Sequence, residues 1–158
     1  MDINYTIVLN DHTQKPPFSR EQLADFLYNH LGQYGDQRNA ILKCIAYAYG
    51  DAPGQDGFVL VAHQEKEILG VVIINDTNME GYIPEHILVY IAVHEKTRGK
   101  GVGKKLMKTV IKETKGDIAL HVEPDNPAKI LYEKLGFTNK YLEMRLNKTG
   151  QKLLKEIC

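Results

Sequence analysis

Apolar residues along the 158-residue chain change their spacing several times, and each change marks an element. "INYTIVLN" (3–10) is rich in β-branched residues and reads as a first strand. Leu23, Phe26, Leu27 and Leu31 then recur at helical spacing. Ser19 and Gln22 form a capping box before them, and Gly32 ends the run. A second helix is expected over "QRNAILKCIAYAYG" (37–50), with Ile41, Cys44, Ile45 and Ala48 on one face, Asp36 placed to cap it and Gly50 stopping it. The turn-forming "APGQDG" (52–57) leads into "FVLVAH" (58–63) and "ILGVVIIN" (68–75), which flank "QEKE" as a hairpin. "HILVYIAV" (86–93) is apolar at both parities, which predicts a central strand. "GVGKKLMKTVIKETKG" (101–116) is amphipathic: Val102, Leu106, Met107, Val110 and Ile111 make one stripe and the lysines point away. "DIALHVE" (117–123) predicts a strand, "PAKILYEKLG" (127–136) a short helix, "YLEMRLN" (141–147) a last strand, and "KTGQKLLKEIC" a weakly helical tail.

The order is strand, two helices, three strands, helix, strand, helix, strand. It predicts an α/β or α+β layered fold, with a mixed, mostly antiparallel central sheet flanked by helices. No repeat, low-complexity tract or linker interrupts it, so residues 1–158 are expected to form one domain. Twenty basic and twenty acidic residues balance, so no global field draws the chain to nucleic acid or an anionic membrane, and any anion site must be local. The longest apolar runs are too short to span a bilayer, and the start lacks a signal peptide's basic and apolar regions. Two widely spaced cysteines, Cys44 and Cys158, suggest neither a disulfide scaffold nor a metal site; a reduced, cytoplasmic protein is expected.

Charge matters most in "HEKTRGKGVGKKLM" (94–107), where cations crowd around Gly99, Gly101 and Gly103 between a strand and a helix. Glycines allow close backbone approach, and the first N–H groups of a helix lack partners, so this is a recipe for a phosphate site. Arg98 adds a planar fork suited to a diphosphate. Three ligands compete. A nucleoside triphosphate loop fails on spacing, because Gly99 to Gly103 is one residue short and Lys105 stands where the magnesium-binding hydroxyl belongs. A dinucleotide fingerprint matches at Gly101 and Gly103 but meets Leu106 at its third glycine, although Glu123 follows at about 20 residues as that motif's acid would. The third is a diphosphate carried on a longer ligand, read as Arg98-x-x-Gly101-x-Gly103.

That third pattern resembles the acetyl-CoA-binding motif of the GNAT superfamily of N-acetyltransferases. "YIAV" before it resembles the strand whose backbone pairs with the pantetheine arm, and "DNPAKILYEKLGF" after it resembles the family's second hallmark, with Leu131, Tyr132, Gly136 and Phe137 matching. The resemblance covers residues 58–146 and fits the first 57 only loosely. It implies a GNAT-like fold and direct acetyl transfer from acetyl-CoA, with no metal, to a small-molecule or peptide amine; dimers are common in the family. It implies that Ile91, Ala92 and Val93 meet the pantetheine arm, and that Arg98, Gly99, Lys100, Gly101, Val102, Gly103 and Lys104 hold the pyrophosphate. It makes Tyr132 the acid for the departing thiolate. Asn126 becomes a partner for the CoA arm, although the family's spacing from Asn to Tyr is one residue longer and would select Asp125.

The chemistry also requires a neutral amine, a route for its proton, and donors for the oxyanion, which the strand backbone at 91–93 can supply. Many relatives carry a glutamate at the position of Val89. The expected base is Glu85, which shares Val89's parity but lies about 13 Å along an extended strand unless a bulge intervenes. His121 and Glu123, taken to share a face of the next strand, follow it, and water is the remaining route. "MEGYIPEH" (79–86) is expected to line the amine pocket, with Tyr28, Tyr34, Tyr47 and Tyr49 as another wall or as helix packing. A non-catalytic acyl-CoA-binding module and a small dinucleotide-binding domain stay open as rivals.

Overall fold

The computed structural model describes residues 2–10, 12 and 15–148. The chain divides into two compact units, residues 1–126 and residues from 127 onward. The first contains the whole sheet, in the order β1 (Asn4–Val8), β2 (Gly57–Gln64), β3 (Glu67–Asp76), β4 (His86–Val93), β5 (Ile118–Leu120). The first three pairings are antiparallel and β4–β5 is parallel, so the sheet is mixed and mostly antiparallel, as the run of consecutive strands predicted.

Helices α1 (Arg20–His30) and α2 (Arg38–Ala48) cover one face. Leu23, Leu27, Ile41, Ile45 and Ala48 are fully buried there against Val59, Val61, Val71 and Ile73 of the sheet. Each large side chain removed from water in this way stabilises the fold by roughly 1.5–3 kcal/mol. The alternate strand residues serve the other face, where a methyl group added at Gly70 would lie 2.8 Å from Leu106 of α3 (Val102–Glu113). Val102, Leu106, Met107 and Val110 are buried; Ile111, expected in the same stripe, is exposed.

The start of α1 follows its sequence: Gln22 N–H donates to Ser19 Oγ and Ser19 N–H to Gln22 Oε1. The start of α2 does not. Its N-cap is Gln37, which makes no side-chain capping bond, and the carboxylate of Asp36 is engaged elsewhere.

Strand β4 is flanked on both sides only over His86–Leu88, so β3 is the centre of the sheet. Its apolar parity switches because of a bulge. Ile73 pairs with Tyr90 and Ile74 with Leu88, which leaves Val89 as the extra residue. Strand β5 stops at Leu120, short of the expected 123.

The second unit holds α4 (Ala128–Lys134), shorter than the expected 127–136. Residues 141–147 form no strand: Leu142, Met144 and Leu146 are 83%, 90% and 56% exposed. Their alternation with polar residues reads as a strand, but a strand needs a hydrogen-bonded neighbour, and none pairs with them among the described residues. Most of the expected helical tail lies outside the described residues.

Candidate active site

Two features of β4 begin at the same residue. The bulge falls at Val89, and the pairing with β5 ends one residue earlier, at Leu88. From Val89 to Val93 the strand therefore keeps its bonds to β3 but has no strand on its other edge among the described residues. Ile91, Ala92 and Val93 lie along this open edge, which presents backbone donors and acceptors to any extended ligand. Tyr90 and Ala92 pack toward α1 and α2, with Tyr90 9% exposed.

The edge runs directly into the glycine-rich turn. "EKT" forms a 3₁₀ turn (Glu95–Thr97) that sequence spacing did not reveal. Thr97 is buried and donates from Oγ1 to the His94 carbonyl, and His94 Nδ1 accepts from Lys96 N–H. The His94 ring lies 4.5 Å from that of His30 at the end of α1, which in turn lies 4.3 Å from Phe26. Burial, with the nearby His94 and Arg98, lowers the pKa of His30, so its ring is neutral at pH 7.

After this anchor the chain exposes Arg98, Gly99, Lys100 and Gly101. Gly101 is the N-cap of α3 at φ +79°, a left-handed conformation that an L side chain strains to adopt, and Gly99 has the same φ. Within 4 Å a methyl group at either would meet nothing, so the space above the turn is open. The N–H groups of Gly101, Val102, Gly103 and Lys104 donate to nothing among the described residues; Lys105 N–H is the first taken up, by the Gly101 carbonyl at 3.0 Å. No side chain caps this end. Four unsatisfied donors, a helix dipole and exposed cations around open space suit a diphosphate. Val102 contributes only backbone here, since its side chain is buried. Lys104 shares an exposed surface with Gly101, Lys105, Lys108 and Lys112, and Lys105 sits over the Tyr5 ring at 4.8 Å.

The other candidates are spread more widely. Glu85 accepts from Asp117 N–H at 2.6 Å, and a methyl group at Gly116 would lie 2.5 Å from its Oε2. The Asp117 N–H and other backbone donors hold its pKa below the usual carboxylate range. The carboxylate thus secures the turn into β5. His86 is tied between Asp76 Oδ1 and the Lys115 carbonyl, each at 2.7 Å. His121 and Glu123 lie beyond the end of β5, so strand alternation does not place them on a common face; both are exposed. Asn126 donates its N–H to the Glu123 carbonyl, and Asp125 uses its carbonyl to accept from the Tyr34 hydroxyl at 3.3 Å. Tyr47 donates to the Asp76 carbonyl at 2.7 Å, Tyr49 is buried beside Arg20, and Tyr28 is half exposed. Tyr82 and Ile83 of the loop before β4 are exposed.

In the second unit, Tyr132 is buried and packs on Phe137, ring centres 5.9 Å apart, while Phe137 N–H bonds back to the Tyr132 carbonyl across Gly136. Burial pushes the phenol pKa up to about 12, so it stays protonated at neutral pH.

No group of three or more metal-ligating side chains occurs among the described residues, and no described helix is long and apolar enough to cross a membrane. The chain is 33% identical over 90 residues to a protein of Pseudomonas phage PaMx11 named 5-NmdU N-acetyltransferase; the match covers 56% of this chain and 62% of the phage protein. Its fold is similar to that of a ribosomal-protein-alanine N-acetyltransferase from Brucella melitensis biovar Abortus, with TM-score 0.61, 16% identity and coverage of 92% and 99% of the two chains. An aminoglycoside acetyltransferase from an uncultured soil sample is similar too, with TM-score 0.62, 15% identity and coverage of 93% and 99%. Residues 55–139, more than half of the sequence, match the Acetyltransferase (GNAT) domain, and the chain belongs to that family.

Proposed function

We propose that this protein is an N-acetyltransferase that moves the acetyl group of acetyl-CoA to a primary amine by direct transfer. One observation carries the reading: among the described residues, four N–H groups at the start of α3 without acceptors stand at the end of an unpaired strand edge, in a chain of the GNAT family. Family membership and the similarity to a phage N-acetyltransferase support the reaction class. The free Cys44 suits a reducing, cytoplasmic setting.

The residues fit acetyl-CoA, which supplies an activated thioester. The turn Arg98–Lys104 takes the pyrophosphate, through backbone N–H groups at Gly101–Lys104 and the Arg98 guanidinium, with Lys100 and Lys104 adding charge. The edge of β4 at Ile91–Val93 orders the extended arm by strand-like hydrogen bonds, and Asn126 adds a further polar contact. In transfer a nitrogen–carbon bond forms, the carbon–sulfur bond breaks, the amine gives up a proton and the thiolate takes one. Tyr132 is the donor to the thiolate: burial keeps it protonated at neutral pH, and after donating it regains a proton from the water that takes the amine's. Water carries away the amine's proton, because Glu85 already spends its carboxylate on backbone N–H groups. Alignment of the two reactants supplies much of the rate.

Isothermal titration with acetyl-CoA, CoA and NAD, joined to a thiol-release assay over an amine panel, tests this. Binding of both CoA compounds but not NAD, with amine-dependent thiol release, is expected. No heat with either CoA compound would overturn the reading. Acetyl-CoA binding without thiol release across the panel would leave a binding module rather than an enzyme.

A further inference from the structure

Asp36 is a carboxylate with no cationic partner among the described residues. It stands one residue before Gln37, the N-cap of α2. Its Oδ2 accepts from the Tyr90 hydroxyl at 2.5 Å, across 54 residues of sequence. Four acids of the unit have basic partners, Asp25 with Arg38, Asp51 with Arg20, Glu67 with Lys96 and Asp76 with His86, while Asp36, like Glu21 of α1, has none among the described residues. Arg38 is only two residues from Asp36 and bonds Asp25 nonetheless. Asp36 is exposed, so its charge reaches solvent.

The surroundings give this charge a context. Tyr90 rises from β4 immediately after the bulge residue Val89, at the start of the open edge. Val89 and Ile87 are 36% and 37% exposed, so apolar surface lies bare beside it. Ile87 pairs with Asn75, whose amide reaches Cys44 of α2, so it faces the same helices as Tyr90. Charge is also segregated along the chain. Residues 94–116 hold eight lysines and arginines against two glutamates, while residues 1–93 hold twelve acids against five lysines and arginines.

We propose that Asp36, held by Tyr90, binds the distal ammonium of a diamine or polyamine acceptor. This rests on the acetyltransferase reading. The attacking nitrogen must be neutral, and a carboxylate in contact with an ammonium keeps it protonated. Asp36 is therefore unsuited to the nitrogen that reacts and suited to a second one, which stays charged. The buried phenol is a rigid spacer between the carboxylate and the strand edge where the thioester is read. An alkyl chain on Val89 and Ile87 spans the same interval, burying its methylenes while both ends find polar partners.

The test uses the full chain saturated with CoA, titrated with diaminobutane and with butylamine, and the same amines in thiol release with acetyl-CoA. Diaminobutane should bind about ten-fold tighter than butylamine, the worth of one charged hydrogen bond. Asp36→Asn should erase that preference and leave CoA affinity and the circular dichroism melt unchanged. Asp36→Glu should keep the preference and move it to diaminopropane, because its carboxylate reaches one methylene further. Tyr90→Phe should keep the charge and broaden the preferred length. Equal affinity for the two amines in the wild type, or a preference that survives Asp36→Asn, would overturn the proposal. Loss of CoA binding itself would instead strike the acetyltransferase reading.

Discussion

Two residues give the sharpest tests of the chemistry. Tyr132→Phe removes one hydroxyl from a buried ring and leaves its packing on Phe137. Turnover should fall by about a hundred-fold, the lower range for a positioned proton donor, while acetyl-CoA affinity in a titration stays within a few-fold. Unchanged kinetics would take Tyr132 out of the mechanism. Gly101→Val puts a branched side chain at φ +79° and into the open space beneath the proposed diphosphate. It should cost about 1–2 kcal/mol of stability and at least ten-fold in CoA affinity. Retained affinity would move the ligand elsewhere. Glu85 shows how a residue of the right type for a base can also hold a structural contact. A carboxylate before the key strand invites the role of base, but Gly116 and the Asp117 N–H lie against it. That contact joins positions 32 apart in sequence, which no local pattern encodes.

At the scale of elements, local signals were read well and pairing was not. The capping box at Ser19, the stripe of α3 apart from Ile111 and the bounds of β4 all follow from neighbours within a few residues. The bulge at Val89 and the early end of β5 depend on which strand lies alongside, so spacing alone left them undetermined. Segment 141–147 fails for the same reason: alternation specifies a face, not a partner. The glycine-rich turn was legible because glycine and charge are chemical statements in themselves. The partner of Asp36 was not, since Tyr90 is remote in sequence and Asp36 fits a cap equally well. The missing cap on α2 makes a prediction. Gln37 already has cap-like backbone angles, φ −61° and ψ 148°. Gln37→Ser should therefore stabilise the protein by about 0.5–1 kcal/mol, read as a higher urea midpoint at constant slope.

For the molecule as a whole, buried protons set its tolerance of alkali. Burial raises the pKa of the Cys44 thiol from an ordinary 9.0 to about 12, and that of the Tyr132 phenol from 10.0 to about 12. The folded chain keeps these protons where the unfolded chain loses them. Stability is thus fully present below pH 9 and declines as pH rises toward 12, by about 1.4 kcal/mol per pH unit for each retained proton. Urea unfolding at pH 8 and pH 10.5 should show the loss, and Cys44→Ala should flatten its first part. An equal slope in that variant would mean Cys44 is not responsible.

The short ladder between β4 and β5 has a consequence for handling the protein. Three residue pairs join these strands, and beyond them the edge of β4 away from β3 has no partner strand among the described residues over the apolar sequence Val89–Val93. Such an edge is a template for another chain, so a ligand lying along it also acts as a chaperone against self-association. Light scattering at 37 °C should rise faster for the ligand-free protein than for the CoA-loaded one, and a lysine at Val89 should slow the former. The feature that opens an edge for the proposed ligand would then also set the shelf life of the ligand-free protein.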